Sequence, residues 1–432
     1  MVRGPAQRWW RSHALSTRCT RGQQAPANRA DDASALDGPH PGAYWNGAML
    51  AASAEDIALL LCLLRRDHDG TTRCVRARHT PLDGFVDFVV SHHVSILVLN
   101  ALDDSPLRPS LAAQQIDMLE QRRRHQLTRA QQLLEALEHL TDRFETAGLR
   151  CMLLKGPYLA TRFYGDVHAR EFYDLDLLVP WRERGRAFQL LGEAGYARKS
   201  RVLLDARLTG FFVHGFDFTD GRALVDLHWC LSRQPSVHVD DATLWKQTQT
   251  FRLSGRAYAV LSDEHEIVFA VLSLLRDLER GRPKVKNLID LFQILEGLDA
   301  RLDWNAFFTA RRTEGTLGPV VNILSLCLDI ANAGDVLPEL RRAIAPHIGR
   351  RVPVRFGSSP LVVHPIQFGL GNKLWCARMY DSSLATWAWW WGLSLPFRIA
   401  VHGAKRRMRP VRGRQPAVAT TSRGQGPESR PR

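Results

Sequence analysis

The feature that most constrains the fold of this chain is a block of short apolar runs, residues 149–260, set between two long helical stretches. On both sides of the block, apolar residues recur every three or four positions, as they do on the buried face of a helix. Inside the block the runs are short and are bounded by glycine, proline and aspartate, which is typical of strands. The pattern therefore predicts an α+β fold, a small mixed sheet flanked by N- and C-terminal helical regions.

One strand pair in the block is specified by its turn. Asp220-Gly221 separates two extended runs, 211–218 and 223–230, and an Asp-Gly pair in that position is a strong hairpin signal. Since side chains alternate along a strand, Asp226 and His228 share one face of the second run. The opposite face is apolar and carries Val225, Leu227 and Trp229. Burial of the apolar face under helices would leave Asp226 pointing into an open cleft.

The remaining periodicities place further elements along the chain. Strands are predicted at 150–154 and 173–179, and Ser110 is the expected N-cap of a long helix. Helices are predicted at 49–66, 84–102, 110–148, 157–164, 182–194, 262–276, 285–297, 303–313 and 318–333. The resulting segments are a disordered basic leader (1–45), an N-terminal helical region (46–148), the α/β core (149–260), a C-terminal helical domain (261–350), an irregular, tryptophan-rich segment (351–403) and a disordered basic tail (404–432).

The basic charge of the chain lies at its two ends. The formal net charge is +14, of which residues 1–30 carry +6 and residues 404–432 carry +8. Residues 31–403 are therefore neutral overall. A neutral core does not favour the basic groove that a template-independent RNA polymerase needs, so we expect no specific nucleic-acid partner.

The distribution of cysteines and the hydropathy of the chain indicate in which cellular compartment it is found. The seven cysteines are scattered and include no CxxC pair, which argues against a disulfide scaffold and a zinc ribbon and favours a reducing compartment. No uncharged apolar run reaches the roughly 18 residues that a membrane-spanning helix needs. We therefore expect a cytoplasmic protein.

The first candidate for chemistry is Asp174-Leu175-Asp176 in the second predicted strand. Positions i and i+2 of a strand face the same way, so both carboxylates project together. Two adjacent carboxylates stay ionised only where a cation or hydrogen-bond donors offset their repulsion. Hard oxygen ligands of this kind suit Mg²⁺, which binds carboxylates together with substrate phosphates. The alternative is a strand end with two solvated aspartates.

The second candidate is Asp226, a carboxylate inside an otherwise apolar strand. An unpaired carboxylate there would be costly, so it needs a partner. It either joins Asp174 and Asp176 as a third metal ligand, as in two-metal phosphoryl chemistry, or forms a salt bridge with an arginine of the hairpin. His228 has two interpretations: a structural histidine beside Trp229, or a residue that contacts the substrate.

A third candidate, Lys155-Gly156, ends the first predicted strand and precedes a helix. Glycine lets a phosphate approach the backbone, the helix N-terminus offers N–H groups, and Lys155 adds a positive charge. A strand–glycine–helix turn is also a common structural turn. Arg170, in the loop before Asp174, either clamps a phosphate or pairs with Asp166.

Together these residues resemble a known family. Leu153-Leu-Lys-Gly156, Arg170-x-x-x-Asp174-Leu-Asp176-Leu-Leu-Val179 and Val225-Asp-Leu-His-Trp229 are similar to the three motifs of the bacterial uncharacterised nucleotidyltransferase family, within the polymerase-β-like superfamily. The match is close over residues 149–232. Where such proteins often carry a histidine on the first C-terminal helix, this chain has Arg276-Asp277.

The resemblance implies an Mg²⁺-dependent transfer of a nucleoside monophosphate from ATP or another nucleoside triphosphate (NTP) to a hydroxyl or amine of a small-molecule or protein acceptor. Asp174, Asp176 and Asp226 would be catalytic and would hold two Mg²⁺ ions. The residues that would bind the nucleotide are Lys155, Gly156, Arg170 and His228. The alternative is a catalytically weak NTP-binding or regulatory protein that retains the fold.

A tryptophan-rich stretch near the C-terminus carries a separate prediction. Residues 382–397 are uncharged and are followed by the basic run 405–407. Tryptophans beside basic residues suit a membrane interface, so a peripheral contact with the inner membrane is one interpretation. The others are a terminal helix packed on the core and a dimer contact. The tryptophans concerned are Trp387, Trp389, Trp390 and Trp391.

Removal of residues 1–40 and 404–432 tests the distribution of charge. Because neither segment can bury much apolar surface, the truncated protein should keep its melting temperature to within about 2 °C in a thermal unfolding scan. Its salt-sensitive binding to nucleic acid and anionic lipid should largely disappear, because the remaining chain is neutral. Retention of that binding would contradict the charge assignment and support a basic groove in the core.

Overall fold

A computed structural model describes residues 54–199, 214–234, 236–279, 284–331 and 336–350, together with Met379, Tyr380, Ala388 and Gly392. The predictions for the leader, the tryptophan-rich segment and the basic tail lie outside the described residues. In the part of the chain that is described, no helix is long and apolar enough to cross a membrane.

Five helices form the N-terminal region. They are α1 (Ala54–Leu64), α2 (His68–Ala77), α3 (Leu82–Ser91), α4 (Ser95–Leu102) and α5 (Ala113–Thr146). Their apolar side chains form a hydrophobic cluster that α5 joins through Leu119. Further along, α5 buries Leu133, Leu137 and Phe144 in the second and larger cluster around the sheet. This one long helix therefore ties the N-terminal region to the core.

The core contains a seven-stranded mixed sheet. Its strands in chain order are β1 (Met152–Leu154), β2 (Leu175–Leu178), β3 (Ala197–Arg198), β4 (Gly215–Thr219), β5 (Leu224–His228), β6 (Gln249–Leu253) and β7 (Arg256–Val260). Across the sheet the order is β3-β4-β5-β2-β1-β7-β6. The pairs β2–β5 and β1–β7 are parallel, and the other neighbours are antiparallel.

The remaining helices connect the strands or follow the sheet. Those within the core are α6 (Gly156–Tyr164), α7 (Arg184–Glu193) and α8 (Asp241–Lys246). Those of the C-terminal region are α9 (Asp263–Glu279), α10 (Val285–Leu298), α11 (Trp304–Thr313), α12 (Leu317–Ala331) and α13 (Pro338–Ile344). The α+β fold with helical regions on both sides of the sheet is confirmed.

The hairpin predicted from Asp220-Gly221 is present as β4 and β5. Thr219 pairs with Leu224 across a turn in which Gly221 has φ of +92°, a conformation that glycine adopts without strain. Val225 and Leu227 are fully buried on one face of β5. The two faces of the strand therefore differ as side-chain alternation predicts.

Some elements differ from the prediction. The helix predicted over 84–102 is two helices, because His93 between α3 and α4 has a left-handed backbone with φ of +58°. Ser110 lies in a 3₁₀ turn and does not cap α5; Gln115 Oε1 instead accepts the N–H of Ala112 at 2.8 Å. The helices and strands that the sequence did not predict are α2, α8, α13, β3 and the antiparallel pair β6–β7.

A buried ion pair attaches α10 to the loop that enters β2. Arg170 Nε and Nη2 donate to the two carboxylate oxygens of Asp290, each at 2.6 Å, and Tyr164 OH donates to Asp290 Oδ1 at 2.7 Å. Burial would raise the pKa of Asp290, but the charge and hydrogen bonds of Arg170 outweigh it and lower that pKa. The pair therefore fixes the loop before β2 against the C-terminal helices.

Asp290→Ala should destabilise the protein by about 3–5 kcal/mol, because it leaves the guanidinium of Arg170 buried without a counter-ion. Urea unfolding at pH 7 measures the change. Since the pKa of Asp290 is depressed, the stabilisation is present above the ordinary carboxyl pKa and declines as the pH falls through the folded-state value. As a control, Arg342→Ala breaks an exposed pair with Glu339 and should cost at most about 1 kcal/mol. Equal stability of the two variants would contradict this role.

Candidate active site

Two carboxylates lie side by side on neighbouring strands. β2 and β5 run parallel, and their register pairs Asp176 with Asp226. β1 lies on the other side of β2 and places Leu154 opposite Asp176, so the end of the first strand borders the same place. The side chains that flank the two aspartates along their strands are fully buried, namely Leu175, Leu177, Val225 and Leu227. The carboxylates therefore share the face that the apolar side chains do not use.

His228 lies between these two carboxylates. Its Nε2 is 3.1 Å from Asp176 Oδ1 and 3.3 Å from Asp226 Oδ2, and the ring is buried. Burial would lower the pKa of His228, but the charge of Asp226 and the hydrogen bonds to both carboxylates outweigh it and raise the pKa to about 9. At neutral pH an imidazolium therefore offsets the repulsion between Asp176 and Asp226.

The two aspartates of the Asp174-Leu175-Asp176 motif differ in the direction in which their pKa values shift. Burial, together with repulsion from Asp176 and Asp226, raises the pKa of Asp174 to about 6. Burial would also raise the pKa of Asp176, but the hydrogen bond from His228 and the charge of Lys155 outweigh it and lower that pKa. Asp176 is thus firmly ionised, whereas Asp174 becomes mainly protonated once the pH falls below about 6.

These side chains supply a compact set of ligand atoms. Among the described residues, the group that could hold a metal ion is Asp176, Asp226 and His228, whose ligand atoms lie within 4.8 Å of one another. The sequence predicted Asp174 as a ligand together with Asp176 and Asp226, and Asp174 lies outside this group. The carboxylate pair is nonetheless the hard-oxygen donor set that Mg²⁺ prefers.

The Lys155-Gly156 loop borders the carboxylates. Lys155 and Gly156 both have positive φ, +32° and +49°, and a Cβ on Gly156 would lie 3.6 Å from the backbone oxygen of Asp174. Lys155 Nζ lies 4.7 Å from the ring centroid of Phe269 on α9. A non-glycine residue at this φ is strained, which is common where a backbone is held in place for function.

The helix after this loop offers fewer donors than a typical helix N-terminus. Pro157 has no N–H, and Tyr158 and Leu159 donate theirs to the backbone oxygen of Lys155 at 3.1 and 3.3 Å. Any anion binding at this end of the site therefore depends on Lys155 and Gly156 themselves.

Arg170 does not form the predicted pair with Asp166. Its guanidinium binds Asp290, while the predicted partner Asp166 accepts the N–H of His168 at 2.9 Å. The pairing with Asp166 is therefore wrong, because the true partner lies 120 residues away and no local pattern connects the two. Arg170 Nη1 is buried and has no hydrogen-bond partner among the described residues, so the phosphate contact stays a prediction.

His214 and Gly215 belong to the site, although sequence reasoning treated them only as strand residues. The ring of His214 stacks on that of His228 at 5.4 Å between centroids. A Cβ on Gly215 would lie 2.8 Å from Leu227 O, 3.0 Å from Asp226 Oδ1 and 3.2 Å from His228 Nδ1. A glycine inside a strand marks a close approach of this kind, so a signal for Gly215 was present in the sequence.

Lys286 is a second lysine near the carboxylates. The sequence analysis did not identify it as a site residue. It lies in the first turn of α10 and donates from Nζ to the backbone oxygen of Glu171 at 3.1 Å. Burial lowers the pKa of Lys286 to about 7, and its charge in turn lowers the pKa of Asp174 and Asp176. Only tertiary packing brings α10 to this place, so no local pattern predicts it.

A comparison with protein families agrees with this arrangement. Residues 79–332 match the profile of the uncharacterised nucleotidyltransferase family. The chain belongs to that family. The matched region covers the whole sheet and α9 to α12, so it contains every residue of the site described above. The resemblance that the three motifs indicated is confirmed.

Other comparisons add less about this nucleotidyltransferase-family chain. Among solved structures, a solution structure of the antibiotic-resistance factor ANT(2'')-Ia is similar, with 16% sequence identity, coverage of 44% of this chain and 93% of that chain, and a TM-score of 0.31. A similarity with this identity and TM-score says nothing about the activity of this chain. The curated proteins contain no significant match.

Gly215→Ala tests how closely this nucleotidyltransferase site is packed. The added methyl would overlap Leu227 O and crowd Asp226, so the variant should lose about 1–3 kcal/mol in urea unfolding. Gly185→Ala, on α7, is the matched control, because no atom lies within 4 Å of its Cβ position. Alanine there should be neutral or stabilise by up to about 1 kcal/mol. If Gly215→Ala were as stable as the wild-type protein, the close approach would be wrong.

Proposed function

We propose that this protein transfers a nucleoside monophosphate from an NTP to a hydroxyl or amine acceptor, with Mg²⁺ as cofactor and pyrophosphate as the second product. The observation that carries the proposal is the pairing of Asp176 with Asp226 on adjacent parallel strands, beside the Lys155-Gly156 loop. Membership of a nucleotidyltransferase family supports this choice over other reactions of carboxylate pairs.

The donor set fits the metal that this reaction uses. Asp176 and Asp226 supply hard oxygen ligands at the same register position of two adjacent strands. In our proposal Asp174 and Asp176 hold two Mg²⁺ ions, and Asp226 holds the ion nearer the acceptor. Bound Mg²⁺ would neutralise charge on the phosphates and help to activate the acceptor.

The nucleotide end of the site is the β1 side. Lys155 and Gly156 bind the triphosphate there, and Lys155 supplies a point charge as in other phosphate loops. Arg170 acts in our proposal by holding the loop that carries Asp174, through its ion pair with Asp290. A direct contact from Arg170 Nη1 or His228 to the nucleotide stays a prediction.

The acceptor end is the β5 side. The side chain of Asp226 is 27% exposed, against 13% for Asp176, so Asp226 is the carboxylate that an acceptor reaches first. In our proposal Asp226 accepts the proton of the acceptor hydroxyl or amine. His228 holds Asp226 and Asp176 in position through Nε2 and is therefore a positioning residue.

The second candidate function is NTP binding with little or no turnover. The observation that favours it is His228, because an imidazolium bound to Asp176 and Asp226 competes with a metal ion for the same oxygens. The two candidates differ in one outcome: only the enzyme incorporates the α-phosphate of the NTP into an acceptor.

Asp176→Asn and Asp226→Asn test the proposed reaction. Transfer of label from [α-³²P]NTP to acceptors in a cell extract should fall at least about 100-fold in each variant, because a metal ligand is lost. Circular dichroism should show an unchanged fold, since asparagine keeps the shape of the side chain and the remaining carboxylate still contacts His228. Asp87→Asn, an exposed residue of α3, is the control and should keep full transfer.

The wild-type protein decides between the two candidates in the same assay. Mg²⁺-dependent NTP binding, measured by calorimetry, without any label transfer would favour the binding protein. Full transfer by Asp176→Asn or Asp226→Asn would overturn the assignment of the site.

A further inference from the structure

The partly buried arginines of the described chain differ in their partners, and some, such as Arg129, donate to backbone oxygens. Arg162, Arg170 and Arg311 each contact a carboxylate. Arg276 is half-buried on α9, and no described carboxylate lies within 4 Å of its guanidinium. Its Nη1 instead donates to Nε2 of His214 at 2.6 Å. Because a guanidinium keeps its proton, His214 must accept this hydrogen bond as a neutral ring and contributes no counter-charge.

The natural counter-ion for Arg276 is engaged elsewhere. Asp277 follows it on the same helix, but Asp277 Oδ2 accepts a hydrogen bond from Asn287 Nδ2 at 2.6 Å. The paired carboxylates of the site, Asp176 and Asp226, both contact His228. A half-buried positive charge without a partner is costly unless a ligand supplies the negative charge.

Strand order shows which part of the site Arg276 belongs to. Lys155 follows β1, Asp176 is on β2, Asp226 is on β5 and His214 directly precedes β4, and these four strands are consecutive neighbours in the sheet. At roughly 4.8 Å per strand, His214 lies about 14 Å across the sheet from the Lys155 position. Arg276 therefore lies at the end of the site opposite the phosphate loop.

Helix α9 runs beside the site from the phosphate loop to His214. Phe269 lies near both the phosphate loop and the carboxylates. Its ring centroid is 4.7 Å from Lys155 Nζ and 5.9 Å from the ring centroid of His228. Arg276 is seven residues further along, which is about 10.5 Å along the helix axis and on the same helix face. Residues of α9 therefore contact Lys155 at one end of the site and His214 at the other.

Two unpartnered polar atoms accompany Arg276 at this end. Ser273 lies between Phe269 and Arg276 on the helix, is 5% exposed, and its Oγ has no hydrogen-bond partner among the described residues. His228 is 1% exposed, and its Nδ1 is equally without a described partner and lies on the side of Gly215. Buried polar atoms of this kind normally meet a partner, so a ligand at this end would satisfy them.

We propose that the acceptor of this nucleotidyltransferase carries a negatively charged group, a phosphate or a carboxylate, and that Arg276 binds it. The proposal rests on the function proposed above. His214 holds the guanidinium in place, and Asp226 lies between Arg276 and the nucleotide. The acceptor therefore binds with its charged group at β4 and its hydroxyl or amine beside Asp226.

The test uses the full chain loaded with Mg²⁺ and α,β-methylene-ATP, so that the phosphate loop is already filled. Calorimetry then measures binding of three compounds with one carbon skeleton: glycerol 3-phosphate, glycerate and glycerol. We expect at least one of the two anions to bind and glycerol not to bind. Glycerol 3-phosphate alone would indicate phosphate-bearing acceptors, and glycerate alone would indicate carboxylates.

Arg276→Met should weaken anion binding by between about 10-fold and 100-fold, the effect of losing a charged hydrogen bond. Its affinity for Mg²⁺ and α,β-methylene-ATP should not change, and Arg276→Lys should restore part of the anion affinity. Arg312→Met removes an exposed arginine of α11 and should behave as the wild-type protein.

Four results would overturn the proposal. Three concern the acceptor: binding of glycerol as tight as that of the anions, absence of anion binding to the loaded protein, and anion binding by Arg276→Met equal to that of Arg312→Met. An equal loss of nucleotide-analogue affinity in Arg276→Met would assign this arginine to the nucleotide and also contradict it. Failure of the wild-type protein to bind the analogue with Mg²⁺ is a separate outcome, because it would reject the proposed function itself.

Discussion

The parallel pairing of β2 with β5 is the constraint on which the site depends, because it places two carboxylates of like charge at the same register position. Apolar packing on the opposite face of the sheet maintains this register. Val225 and Leu227 are fully buried, and a slip of one residue would turn them to the cleft and Asp226 into the core. Burial of these side chains thus offsets the repulsion between Asp176 and Asp226, and His228 reduces that repulsion from within the same strand.

The parts of the fold that the sequence predicted are those with a local cause. Alternation and an Asp-Gly turn specify β4 and β5, and the periodicity of apolar residues specifies α9 to α12. The pair β6–β7 escaped prediction because most of its side chains are exposed or half-buried, which weakens the apolar alternation. The run 84–102 is rich in apolar residues on both sides of His93, so periodicity did not reveal that the backbone breaks there.

The site could be predicted only as far as single strands allow. The Asp174-Leu175-Asp176 motif and the face of Asp226 follow from alternation, but the adjacency of β2 and β5 depends on contacts across about 50 residues of chain. The Arg170–Asp290 pair and the position of Lys286 arise where the C-terminal helices pack on the loop before β2. No periodicity within one element encodes such contacts, which is why Arg170 was expected to pair with Asp166.

The charges along the face of the sheet that carries the site alternate in sign: Lys155 at the end of β1, the carboxylates on β2 and β5, and Arg276 beyond His214. This order has a consequence for how an anionic acceptor would bind. Its charged group is attracted to Arg276 and repelled by Asp226, so the group lies at the far end and the uncharged hydroxyl or amine is left beside Asp226. A histidine at position 276 would lose its charge near neutral pH, whereas arginine keeps the acceptor end cationic throughout the physiological range. The orientation of the acceptor would then depend on the positions of the positive and negative charges along the site and not on the protonation state of residue 276.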